Sequence, residues 1–104
     1  MKPAERDVPH LWDLLDAARR MRKLVSGLDL EAVMADQRTR LALERLSEVM
    51  GAAARCVSEE GRIRHAEINW RSILGLRSAT DPRAEDLDYS RLWAVATLTV
   101  PGLI

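Results

Sequence analysis

Between Gln37 and Ser58 the apolar residues Leu43, Leu46, Met50, Ala53 and Val57 are spaced three or four positions apart throughout. That spacing lines them up on one face of an α-helix. Ala42, Val49 and Cys56 stand beside them at seven-residue steps. The apolar band is therefore wide, as suits a helix with two neighbours, or with a core on one side and a dimer partner on the other. The stretch predicts a helix from about Gln37 to Ser58, with Gly61 as its stop. Its middle, MGAAAR (Met50 to Arg55), is rich in small residues that would let a second helix approach closely.

Four other segments carry helical signals. From about Val8 to Val25, Leu11, Leu14, Ala18, Met21 and Val25 form one stripe, with Asp7 as an expected cap and Pro9 in an expected first turn. Ser26-Gly27 would end it, with Arg19, Arg20, Arg22 and Lys23 gathered near the negative end of the helix dipole. Leu28 to Ala35 predicts a short helix or turn. After a connector from Arg62 to Asn69, a fourth helix is expected from Trp70, capped by Asn69, with Trp70, Ile73, Leu74 and Arg77 on one face. A fifth is expected from Tyr89 to Thr99, capped by Asp88, with Leu92, Trp93, Ala96 and Val100 inward and Pro101-Gly102 closing it. Strand signals are poor: Phe is absent, and no Asn-Gly or Asp-Gly turn occurs. The expectation is an all-α bundle of four to five helices, up-and-down because the connections are short.

One domain suits 104 residues, long enough to bury a core without staples. Lys+Arg and Asp+Glu are 16 each, so net charge gives no push toward nucleic acid, and any such binding needs a local basic patch. The single Cys56 excludes an internal disulfide and a multi-cysteine metal site, and fits a reducing cytoplasm. The stretch MKPAERDVPH lacks a signal-peptide apolar segment, and no run approaches the ~20 residues that span a bilayer.

Few residues invite a chemical reading. Arg77 continues the stripe of Trp70 and Ile73. Its stem can pack while its head reaches water, or its paired donors can meet an anion such as phosphate. His10 and His65 lack the spacing of a metal site and read as surface residues. Ser26, Ser47, Ser58, Ser72, Ser78 and Ser90 lack a nucleophile signature, Glu44 and Glu48 form an ordinary acidic pair, and no Gly-rich phosphate loop occurs. Trp12, Trp70 and Trp93, from three expected helices, fit a core or a subunit contact better than base stacking. The run RRMRK (Arg19 to Lys23) is either a solvated helix end or the phosphate-attracting patch that the neutral total conceals.

Three stretches together resemble one family: RDVPHLWDLLDAARRM, MGAAARCVSEE and INWRSILGLR (Ile68 to Arg77). They are similar to the HepT-like family of the HEPN superfamily, and the likeness continues through DYSRLW to the end containing Pro101, so that one HepT-like helical domain would span 1–104. Where the family usually reads Ile-Gly-Glu-Ala-Ala, this chain has Met50 to Ala54. Where it reads Ile-Pro-Trp-Arg-x-Ile-Ile-Gly-x-Arg, this chain has Ile68 to Arg77.

The resemblance implies a small helical bundle that forms a homodimer and acts as the toxin of a toxin–antitoxin pair. The implied partner is an MNT-type nucleotidyltransferase antitoxin, and the implied activity is a metal-independent, cofactor-free ribonuclease acting on RNA. The family motif is an arginine, four to six residues, a histidine, any residue and a tyrosine. The histidine would move protons at the 2′-hydroxyl or the leaving oxygen. The arginine would steady charge on phosphorus, and the dimer would bring two copies to one cleft. The tyrosine is the site at which the partner can attach AMP.

Arg77 matches the motif arginine. Counted on without a gap to DYSRLW, the histidine position falls at Pro82 and the tyrosine position at Ala84. Ser78 stands where Asn is usual, Ala52 where the small-residue run has its glutamate, and Tyr89 comes too late to replace the missing tyrosine. Proline exchanges no protons and disfavours helix at the residue before it, so the fourth helix is expected to end near Thr80, with an irregular, mobile Ser78–Asp88 beyond it. Three readings follow: a toxin-family protein with a crippled site, a non-catalytic dimeric module that docks onto a nucleotidyltransferase, or an unrelated small helical bundle.

Overall fold

The computed structural model describes residues 3–76 and 93–99, and every regular element among them is helical. The order is α1 (Pro3–Val25), α2 (Leu30–Ala35), α3 (Gln37–Cys56), α4 (Glu59–Arg64), α5 (Trp70–Leu74) and a π-helical segment, Val95–Thr99. The all-α expectation holds.

The stripes that the sequence displays are the faces that pack. α1 buries Leu14, Ala17, Ala18, Met21 and Val25 against Leu43, Met50, Ala53 and Ala54 of α3. Val33 of α2, Ile73 of α5, Leu76, Val95 and Ala96 complete the core. Each large side chain withdrawn from water here stabilises the fold by about 1.5–3 kcal/mol. Gly51, Ala53 and Ala54 are buried in the small-residue run, whereas Ala52 and Arg55 face out. Ser47 is also buried, and its hydroxyl donates to the Leu43 carbonyl one turn back at 2.8 Å.

Two turns are set by single residues. Gly27 adopts φ 76°, a left-handed conformation that costs glycine nothing and ends α1. Asp36 alone joins α2 to α3. Its N–H donates to the Val33 carbonyl, and its carboxylate accepts from the Arg38 N–H and the Thr39 hydroxyl. The Thr39 hydroxyl is the main reason its carboxyl is held below the ordinary range.

Three boundaries differ from expectation, each for a physical reason. α1 begins at Pro3, so Pro9 lies inside it and Asp7 caps nothing. Asp7 is buried, and its carboxylate instead accepts from the Ser58 N–H at 2.8 Å and the Ser58 hydroxyl at 2.6 Å. α3 ends at Cys56, because Val57 turns to extended backbone and Ser58 starts a new helix. Gly61 is therefore inside α4 rather than a stop. A Cβ there would collide with the Asp7 carboxylate, so a side chain at 61 would have to push that carboxylate off its Ser58 partners. Ser58 caps α4 by accepting from the Gly61 N–H at 3.0 Å, with Glu59 and Glu60 in the first turn.

The last described segment was expected as ordinary α-helix. Trp93 and Ala94 are α-helical, but Val95–Thr99 widens to π. The consecutive residues Val95 and Ala96 are both buried there, and the Thr97 hydroxyl donates to the Trp93 carbonyl at 2.8 Å. Residues 89–92 and Val100, assigned to the same expected helix, lie outside the described residues.

Candidate functional site

The block Ile68 to Leu76 is fixed by several local devices. Asn69 caps α5 as expected, accepting from the Ser72 N–H at 3.2 Å. The indole N–H of Trp70 donates to the His65 carbonyl at 2.9 Å, tying α5 to the end of α4. Ile68, Trp70 and Leu74 pack on the core, and Ile73 and Leu76 are fully buried. The chain thus reaches position 77 from a firmly seated base. It is seated again at Trp93, which packs on the core beside buried Val95 and Ala96. α5 and the π-helical segment touch each other, so the described flanks on either side of 77–92 meet in one region of the core.

The helix expected from Trp70 to near Thr80 instead ends at Leu74, with Gly75 as its C-cap. Arg77, Pro82, Ala84 and Tyr89, with Ser78 to Asp88, lie outside the described residues. The structure brings together the two flanks of the motif.

The other residues singled out from sequence separate clearly. His10 lines an open depression of about 430 Å³ between α1 and α3, with Asp13, Arg45, Glu48, Ala52 and Cys56. Ala52, standing where the family has glutamate, is exposed there. Glu48, one turn earlier, supplies a carboxylate to the same depression but forms an ion pair with Arg45 at 3.2 Å. His65 is half-exposed, 3.6 Å from the Glu67 carboxylate. Among the described residues no three His, Cys, Asp or Glu side chains are placed to hold a metal ion. Trp70 and Trp93 pack on the core, whereas Trp12 is 62% exposed on α1 and is not part of the core formed by the described residues.

Sequence reasoning did not find the Asp7–Ser58–Gly61 contact. The residues are 51 positions apart in its hydrogen-bonded pair, and nothing local announces such a meeting. A signal for α4 was nevertheless present: a serine followed by two glutamates is a helix start. The Ser58 hydroxyl, then its N–H, hold the Asp7 carboxyl below its ordinary value, with His10 and Arg62 adding smaller effects.

Among the described residues no helix is long and apolar enough to cross a membrane. Three relatives carry ribonuclease names. One from Methanocaldococcus jannaschii is 26% identical over 101 residues, covering 96% of this chain and 93% of the relative. One from Thermococcus cleftensis, named for the ribonuclease HepT, is 24% identical over 103 residues, covering 99% and 92%. One from Caldanaerobacter subterraneus is 24% identical over 95 residues, covering 91% and 85%. No solved structure gives a significant match. The sequence model of the family described as "Ribonuclease HepT-like" matches residues 14–104, and the chain belongs to that family.

Proposed function

We propose that this chain is the toxin-type component of a toxin–antitoxin pair, built as a HEPN ribonuclease but with an impaired catalytic site. It works as a homodimer and pairs with an MNT-type nucleotidyltransferase. One observation carries the reading. The family match spans residues 14–104, and an ungapped count from Arg77 meets Pro82 and Ala84 where the resemblance implies a histidine and a tyrosine. Arg77 retains the paired donors that stabilise charge on a phosphodiester. No imidazole follows at the matching position to move the proton of the attacking 2′-hydroxyl, a loss that typically costs about two to four orders of magnitude. Ala84 also removes the hydroxyl that would accept AMP, so the partner restrains this chain by binding rather than by modification at that position.

The same observation favours a second reading, in which the chain is a non-catalytic dimeric module that only docks onto the nucleotidyltransferase. The seated flanks, Leu76 and Trp93, support both readings, because a surface for a partner survives the loss of a proton shuttle.

The test compares RNA cleavage by the native chain, Arg77→Ala and the double variant Pro82→His/Ala84→Tyr, in buffer containing a metal chelator. Slow cleavage by the native chain that disappears in Arg77→Ala supports an impaired enzyme. Cleavage only by the double variant marks a silent copy of a ribonuclease, and no cleavage by any of them supports the docking module.

A further inference from the structure

The C-terminal end of α1 carries more positive charge than its position in the helix accounts for. Arg19, Arg20, Arg22 and Lys23 lie within five residues of sequence. Asp16 holds Arg20 at 3.0 Å. Arg19, Arg22 and Lys23 are exposed and, among the described residues, take part in no ion pair. At spacings of three and four they share one helical face, where such neighbours stand about 5–6 Å apart. With Ser26 they line one open depression of about 260 Å³, and no carboxylate among the described residues lines it. A helix C-terminus offers only about half a negative charge, and its influence fades within the last turn. It cannot neutralise three cations, so their mutual repulsion stands in a chain whose overall charge is zero.

A like-charged cluster of this kind fits an anion with several charges in a row. The depression is open, and the described residues that line it are three cations and a serine, which suits the outside of a charged backbone rather than an enclosed small molecule. We propose that this end of α1 is a docking site for the phosphodiester backbone of single-stranded RNA. Arg19, Arg22 and Lys23 each engage a phosphate there, and the Ser26 hydroxyl is available as a neutral donor. The proposal rests on the ribonuclease reading above and adds the place where the substrate strand is held apart from the Arg77 segment. Backbone contacts of this kind position a strand without reading its sequence.

The experiment measures binding of a fluorescein-labelled 2′-O-methyl oligouridine, which cannot be cleaved through its 2′ oxygen, by fluorescence anisotropy as potassium chloride is raised. Three proteins are compared: the native chain, Arg19→Gln/Arg22→Gln/Lys23→Gln, and the charge-matched control Arg6→Gln/Arg38→Gln/Arg64→Gln. Thermal melts of all three check that each is folded. Releasing counterions from three phosphates contributes about 2 to the slope of log affinity against log salt. The patch variant is therefore expected to lose about two units of slope, and the control to keep the native slope. An unchanged slope in the patch variant, or an equal loss in the control, overturns the proposal. Binding of phosphatidylserine vesicles by the native chain without any binding of the oligonucleotide also overturns it, in favour of a membrane surface. Cleavage by Pro82→His/Ala84→Tyr is read in parallel. An unchanged slope with cleavage intact refutes the patch alone, whereas a lost slope without cleavage leaves RNA docking standing and refutes the ribonuclease reading.

Discussion

Replacing Ser58 by alanine removes one hydroxyl that does two jobs. It accepts from the Gly61 N–H, capping α4, and it donates to the Asp7 carboxylate on α1. Loss of a serine cap costs about 0.5–2 kcal/mol. In a domain of this size about 1 kcal/mol lowers the melting temperature by roughly 4–8 °C. The Asp7 bond adds a dependence on pH. The folded-state carboxyl sits below its ordinary value of 3.8, chiefly because of this hydroxyl. A depressed carboxyl contributes stability that is fully present above the unfolded value and is lost as pH falls through the folded one. The gap between the native chain and Ser58→Ala is therefore widest near neutrality and narrows below about pH 4, toward the contribution of the cap alone. Asp36 is also held low, by Thr39, but it is common to both proteins and cancels. Urea unfolding followed by circular dichroism across acidic and neutral pH measures the gap. Ser58→Thr keeps a hydroxyl and should behave nearly as the native chain. A gap that stays constant over the whole acidic range in which the carboxyl gains its proton, against the narrowing expected there, would refute the assignment of the Asp7 depression to the hydroxyl. No gap at neutrality would refute the cap.

Other expectations are simpler. Gly61→Ala forces a Cβ into the Asp7 carboxylate, so it should destabilise the fold, and Asp7→Ala should relieve part of that penalty, as double-mutant unfolding curves would show. Leu43→Ala, at a fully buried position between α1 and α3, should cost about 2–5 kcal/mol in urea unfolding. Cys56 is an exposed free thiol and should react with a colorimetric thiol reagent in the folded protein as fast as in denaturant; slow native labelling would mean that something covers the α1–α3 depression.

The parts of the fold that could be read from sequence are those specified by local repetition. The stripes of α1 and α3 are written at three- and four-residue spacing, and their buried faces are the ones that pack. The caps Asp29, Asp36 and Asn69 act on residues two or three positions ahead, and Asn69 was legible for that reason. What escaped depended on distant partners. Asp7 looks like a cap until Ser58 meets it from α4, and Gly61 looks like a stop until α1 is packed over it. Trp12, read from sequence as a core or a subunit contact, is 62% exposed in this chain, so only the core half of that reading is corrected. The family was legible in the stretches that match it across residues 14–104, whereas Arg77, Pro82 and Ala84 lie outside the described residues, so the site remains a proposal resting on residue types.

The most direct measurement is the single-turnover rate of RNA cleavage by Pro82→His/Ala84→Tyr divided by that of the native chain, under chelating conditions. Restoring a proton-transfer group at the matching position should raise the rate by about two orders of magnitude or more, and adding Arg77→Ala to the repaired chain should abolish the gain. A native chain that already cleaves as fast as the repaired one would contradict the account, because catalysis would then depend on groups other than those the family motif supplies.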